Sequence, residues 1–400
     1  MSFLESIRQG NISLKHIQVN PMDLSHHRAL MKHICETEQD YDRLLSETSF
    51  DRYYKAVEAF TFQSVSVELS SEEAQALLDE HEDFVSKFQQ DLSVQEMMKS
   101  LEKDIYMEYE EWKSERVDHD QNQTILVKRR KVLHRICEKI DQTVKKLTNY
   151  ENGFFCRLAT MSPKDAATSR IGFVQRVYEH YKEICEMEKE MHIDFVTESN
   201  RKLYALYRAS TSILRLKCGK DAVQLLIESE RARQELVKIA NGQYNHSTKT
   251  NEIILREFND FDVAMEFRSF IFNRKLTGIT QYNPYVYFPH IEKNKKEISE
   301  QISKFLYKQV IDNSVIDIPN FIVDLVITID GKVKIVEINP LAEFAGTCLF
   351  TWENDRHIIT GDGNHVEFRV VTKVNEIAEK EMSSDWKNAF AKLEKIYLTK

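Results

Sequence analysis

The sequence predicts an α+β protein, on three observations. Long runs of helix-forming residues fill the first half, and from about residue 250 onward helices alternate with antiparallel hairpins. Gly (10) and Pro (6) are too scarce in 400 residues for long flexible linkers. Neither a Walker A motif nor a Gly-rich dinucleotide motif is present, so a doubly wound sheet is not indicated.

In chain order, residues 1–48 read as a helical extension, with Leu24, Leu30, Met31 and Ile34 at roughly helical spacing. Phe62, Val65 and Val67 mark a β-prone run closed by Leu69. Ser70 with Glu73 three residues later is a capping box, and it opens an almost continuous helical stretch from about 72 to 150. Its last part is basic, Lys128-Arg129-Arg130-Lys131, and the preceding acidic helix is a ready partner for it. Gly153 to Ala166 reads as a strand and a polar loop. Helices follow over 171–190 and 198–215, then ILRLK and the helix DAVQLLIESERARQELVKI. IILREF is a strand. Residues 266–281 form a hairpin turning at Asn273-Arg274, whose simple register puts Glu266, Arg268 and Phe270 on one face with Lys275, Thr277 and Gln281. The helix KKEISEQISKFLYKQV, a strand at HVEFRVV and a closing helix over 376–400 complete the chain.

The most informative stretch is Phe321 to Pro340, FIVDLVITIDGKVKIVEINP, two strands joined at Asp330-Gly331. With a two-residue loop, Ile329 faces Lys332 and Asp324 lies opposite Glu337. Side chains alternate along a strand, so Asp324, Glu337 and Asn339 share a face, while Lys334, Val336 and Ile338 take the other. Opposed carboxylates repel, and a hard divalent cation removes the conflict. Asp324, Glu337 and the amide oxygen of Asn339 form such an oxygen set. On spacing alone, the solvent-facing side of an antiparallel sheet explains them equally well. Basic residues on neighbouring strands, Arg157, Lys217, Arg256, Arg268 and Lys275, add the charge that a nucleotide with Mg²⁺ requires.

Composition narrows the setting. A hydrophobic fraction of 42% supplies a core, and 400 residues suffice for two or three domains or one large one. A net charge of −9 argues against non-specific nucleic-acid binding, so no nucleic-acid partner is expected, while leaving room for a local basic groove. The six cysteines form no CxxC pair and fit no zinc spacing, as for reduced thiols in the cytoplasm. No apolar run is long enough to span a membrane, and MSFLESIRQGNISLKH lacks the apolar core of a signal peptide. A protein exported without such a peptide would look the same.

Several segments resemble the cell division cycle protein 123 family, a divergent branch of ATP-grasp enzymes. They are SFDRYYKAVEAFTFQSVSVEL, FFCRLATMSPKDA, ILRLKCGKDAVQLLIESERARQEL, IILREF, MEFRSFIFNRKLTGITQYN, FIVDLVI and VEINPLAEFAGTCLFTWEND, in order over about residues 49–370. The resemblance implies an ATP-grasp fold, two α+β subdomains clamping ATP and Mg²⁺, over 49–375 with a helical insertion at about 72–150. It implies Asp324, Glu337 and Asn339 as Mg²⁺ ligands. Nucleotide contacts would come from Arg157, Ala159, Ser162, Lys164, Asp165, Lys217, Arg256, Glu257, Phe258 and Arg268, with Arg268 and Lys275 as catalytic cations. Two departures stand out. Arg157 occupies a position that is Lys in many members, and Glu337 with Leu-Ala-Glu after the proline replaces Asp with Phe-Gly-Glu.

Two functions are compatible with this set. The first is an ATP- and Mg²⁺-dependent ligase-type enzyme, forming an acyl phosphate on a protein or other carboxylate and passing it to an amine. The second is an ATP-binding assembly chaperone with little turnover, acting on a partner like the gamma subunit of translation initiation factor 2. Trp352 and Glu353 lie near enough in sequence to line an acceptor pocket, and an LFTW run equally suits core packing. Arg369 is a further cation able to return to the site.

Overall fold

A computed structural model describes residues 35, 37–91, 121–169, 172–191, 196–243, 251–361 and 363–374. The helix expected over 23–45 lies outside these residues in its first part, as do 92–120 of the helical insertion and the closing helix at 376–400. The elements are α1 (Glu38–Glu47), α2 (Phe50–Val57), β1 (Ser64–Glu68), α3 (Ser71–Asp91), α4 (Gln121–Val144), β2 (Phe154–Leu158), α5 (Phe173–Met191), α6 (Glu198–Ser212), α7 (Gly219–Glu228), α8 (Glu230–Ala240), β3 (Glu252–Glu257), β4 (Glu266–Phe272), β5 (Lys275–Gln281), α9 (Pro289–Lys293), α10 (Lys295–Leu306), β6 (Phe321–Ile327), β7 (Val333–Pro340), α11 (Trp352–Ile359) and β8 (Glu367–Arg369). The protein is α+β, and its described residues form two sheets, one in each of two compact units.

One unit comprises residues 64–173 and 213–258. Its sheet has the order β1-β3-β2, all antiparallel. Alternation sorts its faces. Val67, Phe154, Cys156, Leu158, Ile253 and Leu255 point into one apolar core with Leu77, Ile136, Ile140, Leu225 and Leu236 from α3, α4, α7 and α8. Ser64, Phe155, Arg157, Ile254 and Arg256 share the opposite face by register. The capping box holds. The Ser70 N–H donates to Glu73 Oε2 at 3.0 Å, and the Glu73 N–H donates to Ser70 Oγ at 3.3 Å. From the basic stretch of α4, Arg129 meets Asp83 of the acidic α3 at 2.8 Å; further along α4, Arg135 meets Glu72 at 3.0 Å and Lys139 meets Glu73 at 2.8 Å. ILRLK forms no strand beyond a single bridge from Leu216 to Phe154.

The other unit comprises residues 1–63, 174–212 and 259–400. Its sheet has the order β7-β6-β4-β5-β8, antiparallel except for the parallel β5–β8 pair. The β4–β5 turn is at Asn273-Arg274 as expected, both with left-handed φ (49° and 57°), the pairing a two-residue hairpin favours. A bulge between Phe270 and Ile271 then changes the partners: Arg268 pairs with Thr280, and Gln281 pairs with Phe267. Gln281 therefore lies on the face away from Arg268, which corrects the simple register.

The β6–β7 hairpin differs from expectation in two places that cancel. Its loop has three residues rather than two. The Thr328 N–H donates to Lys332 O at 2.9 Å, and the Gly331 N–H donates to Thr328 O at 2.8 Å. Gly331 has φ +73°, open to glycine without strain. A bulge between Asp324 and Leu325 then absorbs one residue, so Leu325 faces Ile335 while Asp324 faces Glu337. The expected opposition stands for Asp324, but Lys334 pairs with Val326 and shares the face of Asp324, not the other one.

Candidate functional site

The five-stranded sheet aligns polar side chains in one row across its strands. The partners run Arg369, Thr280, Arg268, Asp324 and Glu337 on β8, β5, β4, β6 and β7. Paired residues share a face, so β-pairing alone assembles the row from five segments. Asn339 sits two residues beyond Glu337 and joins that face.

At its centre Asp324 is fully buried, and Arg268 is 8% exposed. The guanidinium grips the carboxylate at both oxygens: Nε donates to Oδ1 at 2.7 Å, and Nη2 donates to Oδ2 at 2.8 Å. Asn339 Nδ2 donates to the same Oδ2 at 3.0 Å. Only the NH₂ end of an amide donates, which leaves the Asn339 oxygen as its acceptor for another group. Arg268 Nη1 also donates to Gly346 O, in the loop after β7, and its guanidinium stacks 5.2 Å from the Tyr282 ring centre. Burial opposes the Arg268 charge, but Asp324 more than offsets it and holds its pKa well above the ordinary arginine value. Cys348, in the same loop, has its thiol pushed up to about 12 by burial, with Arg268 pulling the other way.

Glu337 and Asn339 are half-buried on the edge strand. Arg268 pairs with one of the two carboxylates in the row, Asp324. Two carboxylates and an amide oxygen on one face are a donor set suited to Mg²⁺. Those residues therefore fit the ion implied by the sequence, with Arg268 already occupying one side of Asp324. Among the described residues, no group of three His, Cys, Asp or Glu side chains gathers at one point, so the amide is needed to complete any such set.

The remaining expected residues divide cleanly. Lys275 is exposed at the hairpin end, paired with Phe272 and four residues along β4 from Arg268, or about 13 Å. The structure does not bring it to Asp324. Arg369 lies in the row but is committed to Asp355 through two 2.8 Å bonds, which lower the Asp355 pKa. Trp352 packs against the Phe270, Ile322, Leu341, Phe350 and Ile359 cluster and donates its indole N–H to Ala345 O at 3.0 Å, a core role. Glu353 is exposed on α11. Lys334, 4.8 Å from the Phe62 ring centre, is a cation on the site face that simple alternation assigns elsewhere.

Apart from Arg268, the residues expected to hold the nucleotide belong to the three-stranded unit. Arg157 and Arg256, 4% and 5% exposed, share its non-helical face. Arg157 Nε donates to Leu158 O at 3.1 Å. Ala159 and Ser162 are buried, and Lys164 is half-buried. Asp165 serves its own neighbourhood. It accepts from Ser229 Oγ at 2.6 Å and from the Arg231 N–H at 3.1 Å, fastening the start of α8. Lys217 is exposed, with Nζ 3.5 Å from Glu151 O. Glu257 accepts from Asn149 Nδ2 at 2.6 Å, and Phe258 lies under the Arg215 guanidinium at 4.6 Å.

The D123 family model matches residues 204–391. That matched region contains the whole five-stranded sheet and every residue of the Arg268–Asp324–Glu337 row. Curated proteins similar to the chain include the translation initiation factor eIF2 assembly protein of Xenopus laevis, 33% identical over 105 residues, or 26% of this chain and 30% of that protein. The protein of the same name from Lodderomyces elongisporus is 31% identical over 140 residues, 33% of this chain and 35% of that protein. The chain thus matches about a third of the length of these relatives. The solved structure of Cdc123 from Schizosaccharomyces pombe aligns over 83% of this chain and 98% of its own, at 15% identity and a TM-score of 0.49. No helix among the described residues is long and apolar enough to cross a membrane.

Proposed function

We propose that this protein is an ATP-binding assembly factor for a protein partner of the translation initiation factor 2 type, acting in the cytoplasm with little turnover. The ATP-grasp reading belongs to the same proposal: Asp324, Glu337 and Asn339 would hold Mg²⁺ with nucleotide phosphates, and Arg268 would face the phosphate chain. The ion, when bound, would supply charge neutralisation for the phosphate oxygens.

The observation that carries the proposal is the buried Arg268–Asp324 pair with Asn339 on the same carboxylate, in a row with Glu337. An isolated opposition of Asp and Glu on a solvated sheet would need no such network. The names of the curated relatives favour assembly over ligation. The ligase reading is second and rests on the oxygen-ligand set alone.

Calorimetric titration of ATP with and without Mg²⁺, on the wild type and on Asp324→Asn, tests the site. Mg²⁺-dependent binding lost in the variant is expected. ATP binding that ignores both Mg²⁺ and the substitution would sink the cation assignment. ATP hydrolysis measured with and without an initiation factor 2 gamma subunit separates the two functions. Assembly predicts a stable complex and slow hydrolysis, whereas a ligase predicts turnover that rises with its acceptor.

A further inference from the structure

We propose that Arg268 is a latch on Asp324: a positioning residue that competes with the divalent cation for this carboxylate and is displaced when the cation enters. The inference rests on the cation reading of Asp324, Glu337 and Asn339 and adds an order of events to it.

The geometry is one of crowding. A carboxylate offers about four lone-pair directions. On Asp324 two are taken by Arg268 and a third by Asn339. The residue is fully buried, so water does not relieve the competition. A divalent cation on the remaining direction would share one carboxylate with a guanidinium, and like charges this close repel strongly in a buried setting. The Asn339 bond does not conflict, because its NH₂ steadies Asp324 while its oxygen turns to the cation. The guanidinium must therefore give way.

Arg268 has somewhere to go without leaving the site. Its Nη1 is bonded to Gly346 O and its plane lies over Tyr282, so two of its contacts are independent of Asp324. Freed from the carboxylate, Nε and Nη2 become two parallel donors, the fork that suits a phosphate. Arg268 thus guards the carboxylate in the empty site and turns toward the anion in the filled one. The Gly346 bond passes that change to residues 341–351, the loop that also carries Cys348.

The test is direct titration of Mn²⁺ without nucleotide, read by the electron paramagnetic resonance signal of the free ion, on the full chain. Arg268→Gln is expected to bind Mn²⁺ about tenfold more tightly than the wild type, within the usual range of coupling between two occupants of one site. Arg268→Lys, which keeps the charge but loses the fork, is expected to fall between them. Asp324→Asn is expected to lose the ion. Binding by Arg268→Gln that is equal to or weaker than wild type overturns the latch while leaving the cation site standing. If no form binds Mn²⁺, with or without ATP, the site reading fails and the latch with it. Should Arg268→Gln not fold, the wild type itself decides. The Arg268 Nε–H resonance in ¹⁵N spectra should move as Mg²⁺ saturates Asp324, and an unmoved resonance at saturation overturns the proposal.

Discussion

Glu73 in the three-stranded unit and Asp324 in the five-stranded unit are both almost completely buried, at 2% and 0% exposure. Their surroundings differ. Glu73 closes the first turn of α3 and accepts from the Ser70 backbone, while its cations, Lys139 and Arg135, are 41% and 50% exposed. Asp324 lies mid-strand, caps nothing, and faces a cation that is itself 10% exposed along its side chain. One carboxylate completes a helix end that would otherwise leave donors unmet. The other does no service to its own strand, where an apolar residue would pack as well. Burying an ion pair contributes little net stability after desolvation. The proposed cation site would give this buried pair the duty that its own strand does not.

The largest effect that would test this contrast is Asp324→Ala. It strands the Arg268 charge in the interior, and urea unfolding of the full chain should show a loss of about 3–5 kcal/mol. The double variant Asp324→Leu/Arg268→Met should recover most of that loss, since a well-packed apolar pair replaces a buried ionic one at little cost. A double variant as unstable as the single one would mean that Asp324 has a structural duty after all.

Glu73→Gln should cost less, about 1–2 kcal/mol by the same measurement, because the amide keeps part of the capping geometry while losing its charge. The pH dependence sharpens the point. Burial raises the Glu73 pKa, but Lys139 and the Ser70 N–H outweigh it, so the folded value lies below the ordinary carboxylate value of 4.5. A depressed folded pKa contributes stability above the unfolded pKa and loses it as the pH falls through the folded one. The stability gap between wild type and Glu73→Gln should therefore be full at about pH 7 and narrow toward about pH 3. A gap that is constant with pH would remove the charge from the account. Smallest of all is Lys139→Ala, at most about 1 kcal/mol, because its ammonium is well exposed and Arg135 remains beside Glu73. A loss matching that of Glu73→Gln would make Lys139 the sole support of the carboxylate.

How far each carboxylate can be read from sequence follows from the range of its partners. The Ser70–Glu73 box spans three residues and its signature is local, so the pattern reveals it. The Asp324–Glu337 opposition spans one hairpin, and alternation plus a turn signal reaches it, although the loop is a residue longer than the simplest turn. The Arg268–Asp324 pair spans 56 residues, and it depends on β4 lying beside β6. No periodicity encodes strand order, so this contact, the most telling in the site, is invisible in the sequence. Bulges are the second blind spot. The β4–β5 bulge turns Gln281 away from Arg268, and the β6–β7 bulge turns Lys334 toward Asp324. A bulge inserts no unusual residue type here, and the chain announces neither.

The β6–β7 bulge has a consequence for how this hairpin tolerates change. The three-residue loop and the bulge each displace the pairing by one residue in opposite directions. A straight strand with a two-residue loop would use the same residues and give the same Asp324–Glu337 partnership. The Asp324–Glu337 partnership is therefore the same for either way of closing the hairpin. Only the face taken by Lys334 depends on the choice, and the longer loop with the bulge gives it the face of Asp324.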